Sequence, residues 1–186
     1  ISTEGLVSIS GGKYTTYRIM AADTIDAVGM DQGQTLPKSP TAGIPLIGAQ
    51  DYQRVKGRAS EISQKCGVQL ADINHLISRH GDRIDEVLDL ITADEALGEL
   101  IHPDLPYLRA EVIHAVRFEA ALHLEDVLTR RTRLSVESWD RGTDSALQVA
   151  QLMAGELGWD ESRVHREVDH YIRRVESERS SNSQLD

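Results

Sequence analysis

The chain has 186 residues, 40% of them apolar and 27% charged, with a formal net charge of −10. This composition describes a soluble folded domain of ordinary size and excludes a disordered chain. The acidic balance disfavours a nucleic-acid partner, and aromatic content of only 4% leaves the core to Leu, Ile, Val and Ala, which suits helices.

The first element is a strand around Leu6, Val7 and Ile9, stopped by Gly11-Gly12. A helix then opens, with Ile19, Met20, Ala22, Ile25 and Val28 at helical spacing. Residues 30–50 hold Pro37, Pro40 and Pro45 with Gly33, Gly43 and Gly48, and read as a linker. Its apolar anchors Ile44, Leu46 and Ile47 predict that it lies against another surface. From Asp51 the pattern is helical throughout. Asp51 is expected to cap a helix running to about Lys65 and closed by Gly67, and a second helix carries Leu70, Ile73, Leu76 and Ile77 up to Gly81. Asp82 is expected to cap a third, with Ile84, Val87, Leu88 and Ile91 as its stripe. After a loop with Pro103 and Pro106 comes the longest apolar element, Tyr107 to about Arg131, apolar on more than one face and therefore the expected centre of the domain. Thr143 or Asp144 caps the next helix, which ends at Gly158. A last one, about Asp160 to Arg179, has a one-sided stripe of Val164, Val168, Tyr171, Ile172 and Val175. Residues 180–186 read as a disordered polar tail.

The single Cys66 excludes an internal disulfide and fits a reducing compartment. No apolar run is long enough to span a membrane, and no secretory signal is present. The chain opens on Ile1 with a strand whose partner is not visible, which reads as a piece of a longer protein.

Three constellations bear on chemistry. Strand, glycine pair and helix start bring exposed backbone N–H groups to one corner, and Lys13, Thr15 and Thr16 add a cation and two hydroxyls. The same spacing also describes an ordinary β-turn-α corner with Lys13 in solvent. Glu111-x-x-His114 and Glu167-x-x-His170 have the spacing of di-iron carboxylate bundles. Such bundles need two further inward Glu residues, and Glu167 and His170 fall mostly off the apolar stripe, so no metal is assigned. Arg130-Arg131-Thr132-Arg133 has acidic neighbours, and Asp126 stands four residues before Arg130. The reading is an ion pair along a helix, with Arg131 and Arg133 on helix C-terminal carbonyls, rather than a nucleic-acid patch.

The wording of the corner is more specific than its spacing. Gly11-Gly12-Lys13-Tyr14-Thr15-Thr16-Tyr17-Arg18 resembles a segment of FAD-dependent glycerol-3-phosphate dehydrogenases that lies beside the flavin ring and substrate pocket. Leu105-Pro106-Tyr107-Leu108, Leu124-Glu125-Asp126-Val127-Leu128 with Arg130-Arg131-Thr132-Arg133, and Met153-Ala154 with Glu156-Leu157-Gly158-Trp159 resemble blocks of the same family's C-terminal domain, in the family's order. The family's Gly-x-Gly-x-x-Gly does not occur here. The resemblance implies an all-α fold: a multi-helix cap domain over 51–179, the linker over 30–50, and over 1–29 a strand-turn-helix arm that belongs to an absent FAD-binding domain.

It implies a parent that oxidises sn-glycerol 3-phosphate to dihydroxyacetone phosphate and passes electrons through FAD to quinone. The fragment alone is expected to be an inactive structural cap that binds no FAD. By resemblance Lys13 stands near flavin and substrate phosphate, Thr15 and Thr16 bond the flavin's pyrimidine edge, and Gly11 and Gly12 let the backbone pass close to the ring. The implied partners are glycerol 3-phosphate, quinone, the chain's own N-terminal FAD domain and a second copy in a homo-oligomer. The implied location is cytoplasmic, with the parent peripheral at the cytoplasmic membrane. A glycerol-3-phosphate oxidase using oxygen, or a non-catalytic oligomerisation or docking module, are the alternatives.

Overall fold

The computed structural model describes residues 2–3 and 5–182, with side chains from 5 to 181. The chain divides into two compact units, Ile1–Leu46 and Ile47–Asp186. Regular structure is predominantly helical, as the apolar periodicity predicts.

In the first unit, β1 (Ser2–Thr3) pairs antiparallel with β2 (Leu6–Val7). A single 3₁₀ turn, Tyr14–Thr16, leads into α1 (Tyr17–Asp31). The helix ends where Gln32 N–H reaches back to Val28 and Gly29 carbonyls. Beyond it the chain folds back: Gln34 N–H donates to Gly29 C=O at 2.8 Å, and Leu36 packs so close to Gly29 that a Cβ there would meet its Cγ at 2.7 Å. The linker thus has an apolar surface to lie on, α1 itself. Ser39 caps the 3₁₀ turn Pro40–Gly43.

The second unit begins with α2 (Tyr52–Gly57) and α3 (Ala59–Cys66), where the sequence predicts one helix; the break falls at Arg58. Gly67 closes α3 in the left-handed conformation, as expected. The next helices are α4 (Leu70–His80) and α5 (Ile84–Ala93). Asp82 does not cap α5. Its carboxylate accepts instead from Asp51 N–H, 31 residues away, at 2.8 Å. Gly81 is required at its position, because φ is +60° and a Cβ would stand 1.9 Å from Gly48 O.

The expected loop with Pro103 and Pro106 is a β-ribbon, β3 (Leu100–His102) against β4 (Leu105–Leu108). A two-stranded ribbon has free edges, so Pro106 needs no ladder donor. The expected long helix from Tyr107 is likewise corrected: α6 (Arg109–Phe118) stops, and a π-helical turn, Asp126–Arg131, begins after a gap. Ala120 at φ +55° reverses the chain there. The next segment starts on the Asp126 carboxylate, which accepts from Leu122 and His123 N–H groups at 3.0 Å. A short α7 (Leu134–Glu137) follows, then α8 (Ala146–Leu157) and α9 (Glu161–Asn182). Neither Thr143 nor Asp144 caps α8; Asp140 accepts from Asp144 N–H at 2.7 Å just ahead of it. Asp160 caps α9 by accepting from Arg163 N–H at 2.7 Å. Of the expected tail, residues 180–182 form the end of α9, and 183–186 lie outside the described residues.

Two hydrophobic clusters fill this unit. One gathers Val55, Ile73, Leu76, Ile77, Ile84, Val87 and Ile91 from α2, α4 and α5. The other gathers Leu124, Val127, Leu128, Leu134, Val149, Met153, Tyr171 and Val175. Helix α6 feeds both, Ala110 and Ile113 on one side and Val112 and Ala115 on the other. It is the centre of the unit, although shorter than its apolar pattern suggests.

Candidate functional site

The corner singled out by the sequence lies wholly in the first unit. Gly11 adopts φ +151°, a conformation that L side chains rarely take, while the nearest atom to a Cβ there would be the flexible end of Met20, Cε at 2.7 Å, so the backbone and not the packing calls for a glycine. At Gly12 a Cβ would meet nothing within 4 Å, which leaves that backbone open to a ligand. A groove of about 510 Å³ runs along the corner, lined among others by Ile9, Gly11, Gly12, Lys13, Tyr14 and Tyr17.

The polar groups divide into committed and available ones. Thr16 hydroxyl donates to Lys13 C=O at 3.0 Å, and Thr16 N–H reaches the same oxygen at 3.1 Å. That pair closes the first turn and keeps a lone pair, not a proton, for any ligand. Lys13 and Thr15 are exposed, and their side chains make no hydrogen bond or ion pair among the described residues. Glycine backbone, a cation and a free hydroxyl therefore stand together at the start of a 15-residue helix, whose N-terminus favours negative charge. The arrangement offers hydrogen-bond donors and positive potential to a flat, electron-rich or anionic group. It contains no nucleophile with an adjacent base.

The two Glu-x-x-His pairs do not converge. Glu111 is 3% exposed at the third position of α6 and accepts from Leu108 N–H at 2.9 Å, the return arm of a capping box. Its oxygens also lie 3.3 Å from His75 Nε2 and 3.4 Å from His80 Nε2. Burial opposes its charge, but the bonds from the two imidazoles outweigh that and hold its pKa down at about 2. Glu167 binds Leu124 N–H at 3.0 Å, His123 Nδ1 at 3.1 Å and Arg163 at 2.6 Å, while His170 is exposed. Both glutamates anchor backbone turns. Two members of the arginine run behave as the sequence predicts: Arg130 pairs with Asp126 at 3.1 Å, and Arg131 donates to Glu119 C=O, just past α6, at 3.0 and 2.7 Å. Among the described residues Arg133 does not reach a helix-end carbonyl and pairs with the Glu137 carboxylate at 3.4 Å. Sequence spacing gave no sign of the Glu111 cluster, whose histidines come from another helix 31 and 36 residues away.

Comparison with known proteins gives this geometry a context. Residues 39–164 match the family model for the C-terminal domain of alpha-glycerophosphate oxidase. The chain belongs to this family. Glycerol-3-phosphate dehydrogenase 2 of Mycobacterium tuberculosis is 40% identical over 186 residues, all of this chain and 32% of that protein. The mitochondrial glycerol-3-phosphate dehydrogenase of Bos taurus is 31% identical over 173 residues, 91% of this chain and 23% of the relative. Among solved structures, the glycerol-3-phosphate dehydrogenase of Bacillus halodurans complexed with FAD is similar, with a TM-score of 0.72 and 26% identity over 89% of this chain and 34% of that one. The present member of the family thus spans between about a quarter and a third of the length of these relatives. The similarity to dehydrogenases reaches beyond the family's own domain, since it includes the glycine-lysine corner at residues 11–16.

Proposed function

We propose that this chain is the flavin-adjacent arm and helical cap of an FAD-dependent enzyme that oxidises sn-glycerol 3-phosphate to dihydroxyacetone phosphate. The observation that carries the proposal is the similarity of all 186 residues, corner included, to glycerol-3-phosphate dehydrogenases. The open side of the corner supports it: glycine backbone, the Lys13 ammonium and the Thr15 hydroxyl are uncommitted and fit the edge of a flavin. Bound there, FAD supplies a hydride acceptor for the carbinol carbon of the substrate. The chain's own residues have supporting tasks. Lys13 stabilises negative charge on the substrate phosphate and on the reduced flavin, Thr15 donates to the pyrimidine edge, and Gly11 and Gly12 admit the ring to close range. Thr16 acts mainly by holding the Lys13 carbonyl and so fixes the position of the lysine backbone.

The first unit also carries the surface of a part that packs on something larger. Tyr17, Ile19, Ile25 and Met30 of α1 are exposed at 53%, 53%, 58% and 76%. A second groove, of about 590 Å³, lies between α1 and Leu36, Pro40, Ile44 and Leu46 of the same unit. An FAD-binding domain of the longer protein is the occupant proposed for these surfaces. Alone, the 186 residues are then colourless and inactive, because one lysine and two threonines do not retain so large a cofactor. The parent works in the cytoplasm at the membrane surface. No helix among the described residues is long and apolar enough to cross a membrane.

Quinone is the proposed acceptor. Oxygen is the second reading, favoured by the description of the matched family as a glycerophosphate oxidase domain. The test uses the chain joined to the preceding two-thirds that its relatives possess. Anaerobic sn-glycerol 3-phosphate should bleach the oxidised flavin, and a soluble quinone should restore its colour much faster than dissolved oxygen. Faster reoxidation by oxygen, with stoichiometric peroxide, supports the oxidase. A flavin that sn-glycerol 3-phosphate does not bleach defeats both readings.

A further inference from the structure

One cluster in the second unit has no task in the flavin reading and is independent of it. His80 is the last residue of α4, His114 lies on the second turn of α6, and Glu119 follows its end. Each presents one donor atom, and the three atoms lie within 4.8 Å of one another. The His114 side chain is 4% exposed. Its Nε2 stands 3.1 Å from Glu86 Oε2, and a carboxylate at that distance fixes the proton on Nε2. The remaining lone pair is therefore on Nδ1. That atom is buried and has no hydrogen-bond partner; Glu119 Oε1, at 3.8 Å, is out of reach. A buried ring nitrogen without a partner requires an explanation, because burial without a bond costs free energy.

His80 repeats the arrangement. Its side chain is 5% exposed, its Nε2 faces Glu111 Oε1 at 3.4 Å, and its Nδ1 keeps the lone pair. The two rings stand edge to face with centroids 4.6 Å apart. A carboxylate on the far nitrogen of each of two converging imidazoles is how proteins orient histidines toward a metal. The third donor is available as well. Arg131 Nε lies 3.7 Å from Glu119 Oε2, and the other oxygen faces His114.

We propose that His80, His114 and Glu119 form a binding site for a divalent transition ion of the zinc type. Two neutral imidazoles and a carboxylate are a zinc donor set, with the fourth, tetrahedral position left to water. Donors bound at about 2.0–2.2 Å stand roughly 3.4 Å apart around such an ion. The His114–Glu119 pair, at 3.8 Å, needs to close only slightly, and Glu119, with a third of its side chain exposed beyond the end of α6, is placed to do so. The ion supplies the missing partner of Nδ1. It also ties the end of α4 to the end of α6, where Ala120 turns the chain. This is not the di-iron pattern of the sequence: of the two Glu-x-x-His pairs only His114 is a ligand, and Glu111 serves by orienting His80.

The competing explanation is a proton. A His114 imidazolium would sit between Glu86 and Glu119, with Arg83 bonded to Glu86 and Arg131 beside Glu119. The experiment separates the two. The full 186-residue chain, stripped with a chelator and dialysed, is titrated with Co²⁺ followed by its visible d–d bands, and with Zn²⁺ in competition with a chromophoric chelator. The proposal expects one ion per chain and intense bands of a four-coordinate site. His80→Gln and His114→Gln should each abolish them, Glu86→Gln should weaken Zn²⁺ affinity roughly 10–100-fold by loosening the His114 ring, and Cys66→Ser should change nothing. Absence of a stoichiometric ion overturns the proposal, as does binding that survives His114→Gln or disappears with Cys66→Ser. So does a chain that ignores Zn²⁺ yet shows a pH-dependent melting temperature that His114→Gln abolishes. Should either histidine variant fail to give the wild-type circular dichroism, the accessible Glu119→Gln decides: Zn²⁺ affinity reduced at least 10-fold supports the site, and unchanged affinity refutes it.

Discussion

The two units of this chain use their apolar residues in opposite ways. In the first, α1 carries its large side chains outward, and Gly29 is its only buried residue. In the second, Ile73, Leu76, Val87, Leu124 and Leu128 are fully buried, and the carboxylates of Glu111 and Glu167 that are buried with them have partners. Both units have helical periodicity in sequence, so periodicity alone does not say whether an apolar face is satisfied within the chain or by something outside it. The difference lies in the number of faces that meet. Around α6 two clusters converge from several helices. Around α1 there is one hairpin and one returning linker.

If this contrast is right, the largest loss of stability should come from the polar heart of the second unit. Glu111→Gln leaves the Leu108 N–H and the His75 and His80 rings with a weaker acceptor in a buried place, and should cost about 3–5 kcal/mol in a urea titration. The wild-type pH profile should carry the same signature. Glu111 titrates lower in the fold, at about 2, than in the unfolded chain, so its contribution is complete above the ordinary carboxylate range and is lost as pH falls from there toward 2. The Glu111→Gln chain should have a flatter acid limb. Next comes the apolar core: Leu128→Ala should cost about 2–5 kcal/mol, less where the site collapses well. A loss below 1 kcal/mol from either would mean that the second unit is not the tightly packed body described.

Two smaller effects address the first unit. Removing residues 1–46 should leave the melting of 47–186 cooperative and nearly unshifted, and limited proteolysis of the whole chain should cut first between Gly29 and Gly48. Early cutting within α6 would contradict this. Smallest of all, Ile25→Ser should change stability by no more than about 0.5 kcal/mol, as for other exposed positions, while reducing binding of an apolar dye.

The sequence revealed what short-range chemistry decides. Gly67, Gly158 and Asp160 mark helix ends correctly because each acts within a turn of its own position. It misled where a partner is distant or a backbone state is unusual. Asp82 looks like a cap for its own helix but serves Asp51 N–H across the unit. Nothing in Glu119-Ala120-Ala121 warns of a left-handed alanine, so α6 and the π-helical turn merge into one apolar run. Pro103 and Pro106 argue for a loop, yet an isolated ribbon has edges that tolerate them. The corner at residues 11–16 was legible as a motif through its wording and order. The His80–His114–Glu119 cluster was not, because its three donors come from two helix ends and one helix middle, and only the fold brings them together.

The central claim is that Lys13 works at a flavin and substrate site and not as a solvated turn residue. Lys13→Ala in the longer, flavin-loaded protein tests it directly, with flavin content and steady-state turnover of sn-glycerol 3-phosphate measured on the same samples. Loss of a preorganised cation at such a site costs about 2.7–4 kcal/mol of transition-state stabilisation, a fall of roughly 10²–10³ in kcat. Lys13→Arg should restore little of it, because a planar guanidinium does not replace a compact ammonium. Full flavin loading with turnover within twofold of wild type would contradict the claim and leave the corner as no more than a turn.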